Sequence, residues 1–165
     1  MTIGDSDLLP ALLATHAAAT MLMTGLDWFV HAVHYPIFAR AALAGDDHYR
    51  QFQREHLQRT APLIPPIMLL ELGTALALVL LPDQRVDLGL AWAGVALLAV
   101  VWVATFAGAV PMHHRLEKGF DARAHRWLMR FDLVRALAWT ARSVLALLML
   151  MQAMSRSPLG LQAGG

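Results

Sequence analysis

Four long apolar stretches, separated by short polar links, set the pattern of this chain. They run over about 8–35, 63–81, 88–110 and 127–151, and the third is the most apolar. Each is near or above the roughly 20 residues that cross a hydrocarbon layer as a helix. In lipid only a helix pairs all the backbone groups of such a segment internally. Punctuation agrees: Pro36 is expected to close the first span, Pro62, Pro65 and Pro66 to open the second, and Pro82 and Asp83 to end it. Pro111 is expected to end or kink the third. The link 41–61 is polar and expected to be helical from Asp46, an acidic N-cap, with an interfacial helix over about 46–60. The link 113–126 is expected to be a loop, and 155–165 a short disordered tail. The expected fold is all-α: one domain over 1–154, an integral membrane antiparallel bundle of four transmembrane helices.

Four spans put both termini on one side and the links 34–61 and 111–130 on the other. Nine of the thirteen Lys and Arg fall on the link side, against Arg85 and Arg156 on the terminal side. That bias predicts cytoplasmic links, with both termini on the opposite side of the membrane. Composition sharpens the picture: 58% of residues are hydrophobic and 15% charged, where a soluble domain carries about 25% charged. The net charge of +1 offers no basic field for nucleic acid. The chain has no cysteine, so thiolate metal sites, Fe–S clusters and disulfides are excluded. The first Lys or Arg is Arg40, so the first span lacks the basic start of a signal peptide and is expected to remain as a helix.

Polar residues inside the spans are few and ordered. His16, Thr20, Thr24, Asp27, His31 and His34 recur at three- and four-residue steps, one face of one helix. Such a stripe must face protein or water. Glu71 lies about 13 Å beyond Pro62 at 1.5 Å per residue, and Asp27 at a matched depth before Pro36. Buried carboxylates are costly unless paired, protonated or metal-bound. In the fourth span Asp132, Arg135, Trp139 and Arg142 share a face and supply the cations. Arg135 or Arg142 is therefore expected beside Asp27 or Glu71.

Seven of the eight histidines, all but His16, fall on the link half, so distant residues become candidates for one pocket. His34, His56, Glu71 and Arg135 are the candidate catalytic groups. Asp27, Arg59, Trp139 and Arg142 are candidates to bind substrate, and Trp28 and Tyr35 to pack on an aromatic ring. His31, His34, His56, Glu71 and His114 form a candidate ligand set for iron, copper or zinc. Two histidines on different helices could instead hold haem, and His with Glu could work as acid and base without metal.

The strings V-H-A-V-H-Y-P-I at 30–37, H-L-Q-R-T at 56–60, M-L-L-E at 68–71, V-P-M-H-H-R-L-E-K-G-F-D at 110–121 and L-V-R-A-L-A-W-T-A-R at 133–142 resemble a family of bacterial four-helix membrane proteins. The four-span plan and the W-x-x-R of the last helix are more distantly similar to the anthrone-oxygenase-like membrane family. That resemblance implies oxygen-dependent oxidation of polycyclic phenols without an obvious cofactor. The chain departs from those relatives at Asp132, where they carry Asn. The leading expectation is a membrane oxidoreductase or oxygenase acting on a lipophilic aromatic or quinone-like molecule. The alternatives are a metal- or haem-binding electron-transfer protein, and a transporter or structural subunit. The lipid bilayer and a lipophilic small molecule are the expected partners, with a homo-oligomer as a further option.

Overall fold

The computed structural model describes residues 5–156, so most of the expected tail lies outside the described residues. The described chain is helical, with no strand. The helices are α1 (Asp5–Phe29), α2 (Tyr35–Ala41), α3 (Asp46–Thr60), α4 (Ile64–Leu80), α5 (Leu88–Val103), α6 (Val110–Leu116) and α7 (Ala122–Ser155). A π-helical segment, Val30–His34, joins α1 to α2, and a second, Ala104–Ala109, joins α5 to α6. Four continuous helical stretches, Leu8–Ala44, Asp46–Leu80, Leu88–Leu116 and Ala122–Ser155, are long and apolar enough to cross a membrane. They pack as a four-helix bundle, with α7 against α1, α5 and the second π segment.

Two prolines expected to stop helices do not. Pro36 and Pro111 each follow a π segment and sit in the first turn of α2 and α6. A proline inside an α-helix clashes with the carbonyl four residues back and removes a hydrogen bond. The wider π turn displaces that carbonyl, so the rod continues. The first and third rods are therefore longer than the apolar runs, and the polar loop expected over 113–126 shrinks to the turn between Leu116 and Ala122. Asp46 is the first residue of α3 rather than its cap. Gly45 holds that position at φ 106°, a left-handed conformation that only glycine adopts cheaply. Asp87 and Asp121 do cap helices, each accepting from two backbone N–H groups of the following turn. In the short α4–α5 link, Arg85 forks onto Asp83 at 2.9 and 3.0 Å and holds that carboxyl below its usual range.

At the link end, α2 and α3 fold back on each other at Gly45, and α6 and α7 do so at Gly119. Tyr35, Phe38, Tyr49, Leu116, Ala124 and Leu128 lock the two hairpins together. A middle cluster of Met23, Met68, Val101, Ala138 and Trp139 and a terminal cluster around Leu13, Leu78 and Met149 complete the core. Small buried residues on α7, including Ala136, Ala138 and Ala146, let neighbouring backbones approach. The outside is strongly apolar: Leu69, Leu80, Val103, Phe106 and Met151 are exposed, while Asp27, Glu71, Asp132, Arg135 and Arg142 are buried. That inversion suits lipid outside and a polar interior.

Candidate functional site

The stripe on the first rod faces protein along its whole length. Deepest toward the terminal end, His16 Nδ1 lies 2.9 Å from Thr74 Oγ1. Thr24 bonds Ser143 and the Trp139 carbonyl. Glu71 is fully buried, with both carboxylate oxygens engaged: Arg142 Nε donates to Oε1 at 3.0 Å and Trp139 Nε1 to Oε2 at 2.8 Å. Arg142 also donates to the Gly94 carbonyl. This closed cage leaves Glu71 no atom for a ligand.

Two turns along α7, the next layer is built differently. Arg135 Nη2 donates to Asp27 Oδ1 at 2.7 Å, and Arg135 Nη1 lies 3.6 Å from Asp132 Oδ1. His31 Nδ1 meets Asp132 Oδ2 at 3.0 Å. Two carboxyl groups converge on one guanidinium, with His31 as the remaining group able to carry positive charge. The guanidinium lies over the Trp139 ring, 5.1 Å from its centroid. Both cations thus lie beside the carboxylates that depth and face predicted.

Above this layer the hairpins bring together residues far apart in sequence. His34 Nε2 is 2.7 Å from His56 Nδ1. Tyr35 Oη is 3.0 Å from His113 Nε2, and Gln53 Nε2 is 3.0 Å from His113 Nδ1. Tyr49, Gln53 and His56 are the buried face of α3, at i, i+4 and i+7. His125 donates from Nε2 to the Tyr35 carbonyl at 2.9 Å, pinning the start of α2 to α7.

A cavity of about 530 Å³ lies between these groups. Its wall is mostly apolar, with Met23, Leu26, Val30, Ile64, Met68, Trp102 and Phe106 among its lining. Asp27, Tyr35, His56, His113 and Arg135 supply its polar edge. Both π segments contribute to the wall, and such turns often mark functional sites. Leu69 and Phe106 line the cavity and are each 58% exposed, so it opens sideways between α4 and the second π segment.

The expected site residues divide accordingly. Asp27, His56, Arg135 and Tyr35 border the cavity. His34 reaches it only through His56. Glu71, Trp139 and Arg142 form the sealed cage below it, and Trp28 instead donates to Thr140. Arg59 is exposed on the outer side of α3. Of the five candidate metal ligands, His34 and His56 meet, and the other three lie apart from them: His31 is on Asp132, Glu71 on Arg142, and exposed His114 on Glu117. Among the described residues no group of three or more His, Asp or Glu is arranged to hold a metal ion. Neighbours on a helix point about 100° apart, which is why His113 enters the site and His114 does not. Gln53 was missed, although its register with Tyr49 and His56 signals it. Compared with protein-family models, curated proteins and solved structures, the chain has no match.

Proposed function

We propose that the chain is an inner-membrane oxidoreductase that takes a lipophilic phenol or quinone-like molecule from the bilayer into this cavity. The observation that carries the reading is the cavity itself: apolar over most of its wall, open sideways toward the lipid-facing surface, and polar along one edge. Its volume falls within the roughly 300–1,000 Å³ of small-molecule sites. His56 is held through Nδ1, which leaves Nε2 to take a proton from a phenolic hydroxyl. Arg135, which borders the same cavity, favours the phenolate that results. Deprotonation raises the electron density of the ring and prepares it for oxidation. The resemblance to the anthrone-oxygenase-like family supports the same substrate class. The excess of Lys and Arg at the link end supports an orientation with the links in the cytoplasm and both termini in the periplasm.

The test is oxygen uptake by nanodisc-embedded protein given anthrone or 1-naphthol. Saturable binding and oxygen consumption are expected, with His56→Gln lowering turnover by about a hundredfold while binding persists. Saturable binding with no oxygen consumption in the wild type would leave a carrier and sink the oxidoreductase.

A further inference from the structure

Three hydrogen-bonding groups run in line toward the cavity: Gln53 on α3, His113 on α6 and Tyr35 at the start of α2. Their direction follows from chemistry. With the Gln53 amide oriented so that Nε2 faces His113, the amide donates and His113 Nδ1 accepts. A neutral imidazole that accepts at Nδ1 carries its hydrogen on Nε2, and His113 Nε2 therefore donates to Tyr35 Oη. The Tyr35 oxygen is used as an acceptor, and its own hydrogen remains to be given. Asp27, the carboxylate of the cavity lining, does not take it: Asp27 Oδ1 is held by Arg135, and Oδ2 has no partner among the described residues. Arg135, which borders the same space, offers donors only. The other polar side chains of the lining, His56, Thr60 and Thr105, make no hydrogen bond to Tyr35 Oη: His56 bonds His34 through Nδ1, and the two hydroxyls donate to the carbonyls of His56 and Val101.

We propose that Gln53 is a positioning residue that sets the His113 tautomer, so that Tyr35 presents a hydrogen-bond donor to the cavity and selects occupants with an aromatic oxygen acceptor, a quinone carbonyl or a phenolate oxygen. The proposal rests on reading the cavity as a lipophile site, and it gives that site a polarity. Gln53 and His113 act through Tyr35. Of these three, Tyr35 is the one that bonds the ligand.

Two measurements separate the proposal from the reading beneath it. Histidine ¹⁵N spectra of ligand-free protein in nanodiscs report the tautomer of His113, assigned by its loss in His113→Gln. The Nε2–H form is expected in the wild type, and an Nδ1–H form would overturn the proposal. Gln53→Leu is expected to release His113 into a mixture of tautomers; an unchanged pure Nε2–H signal would show that Gln53 does not set it. The second measurement compares affinities for 1,4-naphthoquinone and naphthalene, which differ in the two carbonyl groups. The wild type is expected to favour the quinone by about fivefold over the ratio in Tyr35→Phe, as one neutral hydrogen bond allows. Gln53→Leu should lose part of that preference while its naphthalene affinity stays put. A quinone preference unchanged in both variants overturns the proposal. If neither compound binds the wild type, the lipophile reading fails, and the tautomer spectra still decide the role of Gln53.

Discussion

At the residue scale, the interior charges are the most constrained feature. Glu71 and Arg142 are both essentially without exposure, and each is the other's charge partner. Removing one partner strands the other, which costs about 3–5 kcal/mol, whereas removing both together costs much less. Glu71→Gln should therefore lower unfolding stability in detergent by about that amount, and adding Arg142→Leu should recover part of it. A fully additive double variant would show that the pair does not interact. This pairing was legible in the sequence because depth and face left the two carboxylates and two arginines few other partners. The division of labour between the pairs was not legible. Asp27 and Arg135 border the cavity and Glu71 and Arg142 do not, because the two pairs lie two turns apart along α7.

At the scale of elements, the two π segments carry the site. Apolar periodicity found the rods, but proline chemistry misplaced their ends, because the rule assumes α-helical register on both sides of the ring. Hydropathy carries no signal for a π turn. The fold-back at Gly45 was equally hidden, and with it the meeting of His34 with His56 across 22 residues. The second π segment also depends on one missing side chain. A Cβ at Gly108 would collide with the Phe131 ring of α7. Gly108→Ala should cost about 1–3 kcal/mol in thermal or denaturant unfolding, as overpacking typically does. Phe131→Leu in the same chain should restore most of that loss. A neutral Gly108→Ala would mean that the segment and α7 can separate freely.

At the scale of the whole molecule, charge asymmetry predicts a single orientation. The absence of cysteine makes it easy to check, since every introduced thiol is the only one. Gln84→Cys lies on the terminal side and Arg123→Cys on the link side. In intact cells an impermeant maleimide should label the first and spare the second, with both labelled after permeabilisation. The reverse pattern would invert the proposed topology and place the polar edge of the cavity toward the periplasm. The bundle itself was readable from the four apolar runs. The cavity was not, because it exists only where two hairpins and two π turns meet.

A π turn is an α-helix with one residue too many, so each of these segments has the form left by a single inserted codon. Deleting one residue from 30–34 would return that stretch to α register and turn everything beyond it by about 100° relative to α1. His34 and Tyr35 would swing off their partners although neither had been substituted. The chamber could thus be gained or lost in one genetic step that leaves every residue of its wall intact. Among homologous chains, the gap pattern at 30–34 and 104–109 should therefore sort those that keep a chamber from those that have closed it more sharply than any lining residue does.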